Sequence, residues 1–351
     1  MAVDGIRAMW ERKGLYIGGP QANFSTIYTT AHTRYKEGSA ATPAGTYAPR
    51  IDHGPLSSGD PFSNLNNMQV GRKQPALSVS GVPATDMNIN DMASLFLQNA
   101  HDETAYYEAY DNTHAIETTP GIPQANKFAT IITKLDSDAS DSSAFTMIGA
   151  VPRTWNITIP ASTPGDSGGL VTWAADFIGH STARADSPTM SSTTDDTSAR
   201  LYTTDCNFDA GGQTGVNMVS TTINMSNNAS LIMDANDPAT GILLGQLSVT
   251  GTTTVLDESQ AANKSSTLMF SNLAQTSPTS FAMQWAWDTD GTDDVLIKVY
   301  ATILKVSQPQ DIGGAVAWTF DWQMAQTAET NPLLIRGECL WSDAMFYEAY
   351  A

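Results

Sequence analysis

Alternating apolar and polar residues constrain the middle of this chain more than any other feature. Trp155, Ile157 and Ile159 alternate with Thr and Asn, and after a turn-rich loop residues 171–177 alternate in the same way. A period of two is typical of a strand with one buried face, because successive side chains of a strand point to opposite sides of the sheet. The loop is rich in Pro, Gly, Asp and Ser, which favours a β-hairpin over residues 145–181.

The same alternation returns in the second half of the chain, in residues 219–225, 295–303 and 316–322. Charged residues make up only 15% of the sequence, and Thr, Ser, Ala and Gly are abundant. This composition favours a mainly β globular protein over a coiled coil or a disordered chain. One helix is predicted near residues 90–100, with Asn90 as its N-cap residue.

Composition and periodicity divide the chain into four predicted parts. The first part is rich in Gly and Pro and has no long periodic segment, and the third is polar and prone to turns. The predicted parts are an extended N-terminal arm (1–73), a first β domain with the helix (74–184), a polar linker or loop (185–205) and a second β domain (206–351).

A weak similarity between two segments of the chain raises the question of an internal duplication. Residues 149–159 resemble residues 215–225 in character, with Gly at the start and alternating apolar residues after it. Such a match fits two duplicated halves, but short matches in a chain rich in Thr, Gly and Ala also arise by chance. The sequence leaves the duplication open.

The charge of the chain is strongly negative and unevenly distributed. The formal net charge is −19, of which residues 1–73 contribute +3 (eight Lys or Arg against five Asp or Glu) and the remainder −22. Such a chain repels nucleic acid and acidic membranes. The asymmetry fits copies that dock head to tail, and it fits equally a basic segment that covers its own acidic body.

Cys206 and Cys339 lie 133 positions apart, and the chain contains no CxxC motif. Two free thiols are therefore expected rather than a disulfide framework or a zinc site. The opening residues lack the apolar core of a signal peptide, and no apolar run approaches the length that spans a membrane. The expected location is a cytoplasm until assembly or lysis.

The loop at residues 163–169, TPGDSGG, contains the nucleophile motif of trypsin-like serine proteases. In that interpretation Ser167 attacks, His32 accepts its proton and Asp91 orients the imidazole, in the chain order of that family. Against it, Asp91 is predicted to open a helix, and Gly and Asp are ordinary residues of a hairpin turn. The protease is kept as an alternative.

Other polar clusters do not form a predicted site. The segment Asp288–Asp294 departs from an EF-hand loop and is predicted to be a hairpin turn. The five histidines are scattered without ligand spacing, and no phosphate-binding glycine motif is present. No catalytic, cofactor-binding or metal residue is therefore predicted. Four tryptophans on predicted strands are expected in the core or at subunit contacts, namely Trp285, Trp287, Trp318 and Trp322.

Several segments together resemble the siphophage-type, long-form family of phage tail tube proteins. They match in pattern and contain no catalytic signature. The segments are GIRAMWERKGLYIGG (5–19), IGAVPRTWNITIP (148–160), LVTWAADFIGHS (170–181), MVSTTINMSNN (218–228) and AVAWTFDWQMA (315–325).

The resemblance implies tail-tube-type β-sandwich or barrel modules with a flanking helix. In that family the sheets join those of neighbouring subunits into a ring, and rings stack into a hollow conduit for viral DNA. This chain would then be the non-enzymatic major tail tube subunit, located in the virion tail and, during assembly, in the host cytoplasm. A ring would need three chains if the halves are duplicated and six if they are not.

The resemblance also implies the partners. They are further copies of the chain and other tail proteins such as the tape measure, terminator and baseplate proteins. Viral DNA would pass an acidic lumen without specific binding, and no membrane or cofactor is implied. Two alternatives remain: another β-rich virion protein, of the capsid or baseplate, and the trypsin-like protease of His32, Asp91 and Ser167.

Overall fold

The fold is known from a computed structural model. It confirms a mainly β protein with helices packed on the sheets. The model describes residues 14–19, 21–35, 42–47, 50–51, 68–69, 73–98, 106–108, 125, 127–134, 144–162, 168–185, 190–233, 239–257, 265–274, 280–288, 293–325 and 333–337.

Within those ranges the chain forms two α-helices, α1 (Asp86–Leu97) and α2 (Ser265–Leu273), and one short 3₁₀ turn, Thr203–Asp205. The strands are β1 (Gly14–Gly18), β2 (Ala31–Tyr35), β3 (Thr42–Tyr47), β4 (Arg50–Ile51), β5 (Met68–Gln69), β6 (Lys73–Pro83), β7 (Tyr106–Glu108), β8 (Ala129–Lys134), β9 (Ala144–Ile159), β10 (Thr172–Ile178), β11 (Ser181–Ala185), β12 (Ser192–Asp195), β13 (Cys206–Ala210), β14 (Met218–Ser226), β15 (Ser230–Met233), β16 (Ala239–Leu243), β17 (Ser248–Leu256), β18 (Phe281–Asp288), β19 (Asp293–Val306), β20 (Gln310–Ile312), β21 (Ala315–Met324) and β22 (Leu333–Gly337).

The long strand β9 belongs to two sheets. Its first half pairs with β8 and β11, and β8 also pairs with β1, which gives the antiparallel order β11–β9–β8–β1 (sheet I). Its second half pairs with β10, β10 pairs with β6 and β6 with β3, which gives the order β3–β6–β10–β9 (sheet II). The predicted hairpin of residues 145–181 is confirmed as β9 and β10.

The second half of the chain repeats this arrangement. The long strand β19 pairs through its first half with β18 and β22, and β18 pairs with β13, so that sheet I has the order β22–β19–β18–β13. The second half of β19 pairs with β21, β21 with β17 and β17 with β14, so that sheet II has the order β14–β17–β21–β19. A helix follows β6 in one half and β17 in the other.

The repeat holds at the level of single residue pairs. Ser78 lies opposite Asp176 in the β6–β10 ladder, and Thr252 lies opposite Asp321 in the equivalent β17–β21 ladder. The neighbouring long strands are bulged at matching positions, at Arg153 in β9 and Leu304 in β19. The chain therefore contains two copies of one sandwich module. The equivalent elements are β1 and β13, β3 and β14, β6 and β17, α1 and α2, β8 and β18, β9 and β19, β10 and β21, and β11 and β22.

The two modules share one sheet and one core. The ladder between β9 and β14 joins their sheets II, with Thr154 opposite Ser226 and Ile159 opposite Thr221. The similar segments 149–159 and 215–225 are therefore not equivalent strands of the two modules, because β9 pairs with β14 and is equivalent to β19. A single apolar cluster includes side chains from both modules, from Ile17 to Ile335.

The division into an arm, two domains and a linker stays a prediction. The described parts of residues 1–73 include β1 and β2, which are strands of the sandwich and contain the buried Ile17 and Tyr35. The segment 185–205 includes β12, which pairs in parallel with β2.

The predicted start of the helix was wrong. α1 begins at Asp86, and its N-cap is Thr85, whose hydroxyl accepts a hydrogen bond from the Asn88 backbone N–H while the Asn88 side chain accepts one from the Thr85 N–H. This reciprocal capping box satisfies two N–H groups that the first turn leaves without partners. Asn90 and Asp91 lie inside the helix and are buried.

Tryptophan side chains form much of the core. Three of the four that were expected in the core or at contacts, Trp285, Trp287 and Trp322, are at most 1% exposed, whereas Trp318 is half-buried. Two of these three indoles make short hydrogen bonds: Trp287 Nε1 donates to the Tyr202 carbonyl at 2.9 Å and Trp322 Nε1 to Thr253 Oγ1 at 2.9 Å. Buried Trp side chains stabilise a core strongly when the ring N–H has a partner.

The two modules fill equivalent positions of the core with different residues. Leu77 lies opposite Phe177 in the first module, and Gly251 lies opposite Trp322 in the second. A Cβ atom at position 251 would collide with the Trp322 ring and with the Thr222 carbonyl oxygen. The larger aromatic ring of the second module is accommodated because its neighbour has no side chain.

Gly251→Ala is expected to destabilise the protein by about 1–3 kcal/mol, the usual cost of overpacking a close-packed core. Denaturant unfolding measures this change. Gly241→Ala is the control, because its Cβ would meet mainly the flexible end of the Ile232 side chain at 3.2 Å. Equal stability of the two variants would contradict this account of the Gly251–Trp322 contact.

Candidate functional site

The joined sheet II has one apolar face and one polar face. On β9, Trp155, Ile157 and Ile159 point into the core, whereas Thr154 and Thr158 lie on the opposite, accessible side. The alternation seen in the sequence continues through β10, β14, β17 and β21. One face of six adjacent strands is therefore built almost entirely from hydroxyl, amide and carboxylate side chains.

Strand register places these polar side chains in rows that cross both modules. Each neighbour within a row lies directly opposite the previous residue on the adjacent strand. One row contains Thr172, Thr158, Thr222, Thr252, Asp321 and Lys305, and the neighbouring row contains Ala174, Asn156, Asn224, Thr250 and Gln323.

Two carboxylates occupy equivalent positions on this face and are held by hydroxyl groups. Asp176 accepts hydrogen bonds from Ser78 Oγ at 2.6 Å and Thr154 Oγ1 at 3.0 Å. Asp321 accepts one from Thr252 Oγ1 at 3.1 Å. Both carboxylates therefore lie at equivalent positions on the accessible side of the sheet.

This surface, which we call the polar face, is suited to weak contact with a charged polymer. Hydroxyl and amide groups hydrogen-bond to water, and the Asp176 and Asp321 carboxylates repel phosphates. Lys305 is the one cation in the two rows just described. A face of this kind lacks the clustered Lys and Arg residues that bind a phosphate backbone tightly.

Two of the three residues of the protease alternative, His32 and Asp91, are parts of the sandwich. His32 lies on β2, is 1% exposed and packs against Tyr28, with ring centroids 5.8 Å apart. Asp91 lies within α1 and accepts a hydrogen bond from the Tyr35 hydroxyl at 3.0 Å. Ser167 is outside the described residues. After it, Gly168 and Gly169 have positive φ angles, as glycines of a turn do.

Other predicted features are placed as follows. Among the described residues, no three His, Cys, Asp or Glu side chains come together in a way that could hold a metal ion. Asp288 and Asp293 lie opposite each other in the β18–β19 ladder, which confirms a hairpin there. Cys206 is a free thiol, and burial raises its pKa to about 12, whereas Cys339 lies outside the described residues.

No helix in the described ranges combines the length and the apolar character needed to cross a bilayer. A comparison with curated proteins gave no match.

A family model described as phage tail tube protein matches residues 33–324, well over half of the chain. The chain belongs to the phage tail tube protein family. It is thus a structural tail tube protein, and the family places it in the tail of the virion. The family match gives no support to the protease alternative. The matched range includes most of both modules and all of the polar face.

Sequence patterns revealed part of this surface. The alternation predicted which side of each strand is polar, but not which strands are adjacent. The equivalent carboxylates were missed, although a signal was available: Trp173 and Asp176 recur with the same spacing as Trp318 and Asp321, each Asp followed by an aromatic residue.

A fluorophosphonate probe is expected to leave Ser167 unlabelled in the native tail tube protein. The reason is that the His32 and Asp91 side chains are built into a strand and a helix of a structural module. Mass spectrometry of the treated protein measures the adduct, with trypsin as the positive control. A covalent adduct on Ser167 that disappears in Ser167→Ala would revive the protease.

Proposed function

We propose that three copies of this tail tube protein form a ring, and that the rings stack into a non-enzymatic hollow conduit for viral DNA. The observation that carries the proposal is the duplicated module, whose sheets II are already joined through β9 and β14. The resemblance to tail tube proteins implies rings of six such modules. Because each chain supplies two, three chains complete a ring with approximate sixfold symmetry.

The polar face lines the lumen in this proposal. Sheet I and both helices lie on the apolar side of sheet II, as part of the shared core. If that side faced inward, these elements would fill the tube. With the polar face inward they form the outer layer, and the lumen is bordered by hydroxyl groups and carboxylates. DNA then passes without specific binding.

The dimensions of such a ring suit a conduit. Four strands of sheet II from each of six modules, about 4.8 Å apart, give a circumference of about 115 Å and a backbone-to-backbone diameter of about 37 Å, more when the strands tilt. Closing the sheet through neighbours also pairs strand edges that otherwise promote aggregation.

The remaining partners follow from the place of a tube within a tail. The ends of the stack would contact terminator and baseplate proteins, and the tape measure protein would occupy the lumen before DNA. Assembly takes place in the host cytoplasm in this proposal. No cofactor, metal ion or membrane takes part.

Electron microscopy of the purified protein tests the proposal. Hollow rings or tubes are expected, with threefold symmetry in the averaged ring and six similar lobes around the lumen. Native mass spectrometry of isolated single rings should give three chains. Solid particles, a stable monomer at high concentration, or a ring of six chains would each overturn it.

The lumen assignment makes a prediction about charge. Asp176→Lys combined with Asp321→Lys should make assembled tubes retain duplex DNA, by about tenfold or more at low salt, because cations in the lumen bind phosphates. Co-sedimentation of labelled DNA with tubes measures retention.

The control for that experiment is Asp195→Lys, which makes the same kind of charge change on β12, away from the polar face. This variant should retain no more DNA than the native tube. Equal retention by the double variant and the control would show that the polar face does not line the lumen.

A further inference from the structure

The junction between the two modules is a template for the junction between two chains. In it, the second half of β9 pairs on one edge with β10 of its own module and on the other edge with β14, the first strand of sheet II in the next module. Two modules are thus connected by adding a strand to the open edge of a long strand.

The equivalent edge of the second module has no strand beside it among the described residues. Ala301 of β19 lies opposite residues of both β18 and β21, so these two strands occupy opposite edges. Beyond Ala301, the ladder with β21 continues to Val306 on one edge of β19, whereas the ladder with β18 on the other edge ends. On the edge left by β18, the Ile303 N–H donates to Asn272 Oδ1 of α2 at 2.9 Å. From Leu304 onward, no described strand occupies this edge of β19.

The complementary edge belongs to β3. This strand is equivalent to β14, because β3 pairs with β6 as β14 pairs with β17. β14 has its second edge on β9, whereas β3 pairs only with β6 within the described part of the chain. Within the described residues, sheet II thus begins at β3 and ends at β19, and the equivalents of these two strands, β14 and β9, pair with each other in the internal junction.

We propose that β3 of one copy pairs in antiparallel orientation with the end of β19 of the next copy, in the register of the β9–β14 ladder. The proposal rests on the ring described above and identifies the contact that closes it. The occupant of the β19 edge is a second copy of this chain, because its own first module offers the strand that this edge accepts in the internal junction.

The internal ladder defines the register. In that ladder Thr154 lies opposite Ser226. Thr154 corresponds to Lys305, because these two residues pair with equivalent positions of β10 and β21. Ser226 corresponds to Thr46, because these two residues pair with equivalent positions of β17 and β6. Lys305 of one copy is therefore opposite Thr46 of the next, and Ser307 opposite Ala44. Pro309 lies just beyond and has no N–H to donate, so it marks the end of the ladder.

The geometry of the contact explains why assembly is directional. The two edges differ, so one copy adds to another head to tail, and a contact of this kind closes into a ring when the rotation between copies permits. The first copy leaves its β3 edge open until the last copy arrives. Every strand edge of sheet II is then paired, which removes the exposed edges that natural proteins avoid.

A disulfide experiment tests the register. The full chain with Thr46→Cys and Lys305→Cys is allowed to assemble and is then oxidised, and linked peptides are identified by mass spectrometry. Directly opposite residues on adjacent strands are close enough for a disulfide. The native Cys206 competes little, since burial raises its pKa to about 12 and keeps its thiol protonated.

Two control pairs use the same chain. Thr154→Cys with Ser226→Cys is the equivalent pair of the internal junction and should link within one chain, which also reports that the variant is folded. Ala44→Cys with Lys305→Cys is out of register by two residues and should link about tenfold more slowly, because diagonal neighbours lie roughly 7–8 Å apart.

The expected result is a ladder of covalent species that stops at three chains, with the thiol introduced at position 46 linked to the one introduced at position 305 of another copy. Hollow rings in the microscope without this link, while the internal pair links normally, would overturn the β3–β19 contact and leave the tube intact. Absence of both rings and links would overturn the tube as well. A ladder that reaches six chains would confirm the contact and overturn the threefold ring.

Discussion

One long strand per module holds this structure together, because that strand belongs to two sheets at once. β9 and β19 pair in sheet I through their first halves and in sheet II through their second halves. The bulges at Arg153 and Leu304 lie in the second halves, where the strand pairs with β10 or β21. A bulge bends a strand and increases its twist, which helps two sheets that share a strand to enclose a common core.

The shared strand also leaves an edge available for a neighbour. In sheet I, one edge of β9 pairs with β8, and the equivalent edge of β19 pairs with β18. In sheet II, β8 and β18 no longer lie beside that edge. In the first module the chain itself fills that edge with β14, so a covalent connection guarantees the contact. In the second module no described strand fills the equivalent edge, and this is the edge that we propose a second copy fills. A duplication of this kind converts half of the contacts of a ring into contacts within one chain, which lowers the entropy lost on assembly.

Much of the fold was predictable from local pattern. The alternation of apolar and polar residues identified β9, β10, β14, β19 and β21, because one face of each strand is buried and the other faces solvent. The start of α1 was not predicted, because the capping box at Thr85 uses Asn88 in place of the more usual Glu or Gln. The duplication was not aligned from the sequence, because equivalent core positions hold different residues: Leu77 and Phe177 in the first module, Gly251 and Trp322 in the second. The polar face was visible strand by strand, but its continuity was not.

The sequence by itself determined the fold class, the buried side of each strand and the family resemblance, since these depend on local periodicity and on residue types. Only the tertiary structure decided which strands are neighbours, that β9 is equivalent to β19 and paired with β14, and which edges of sheet II have no neighbouring strand among the described residues. The physical reason is that the hydrogen bonds between strands are made by the same backbone N–H and C=O groups whatever the side chain, so they do not specify which strands pair. Register and order are set by the collective packing of side chains over a core, which no short segment encodes.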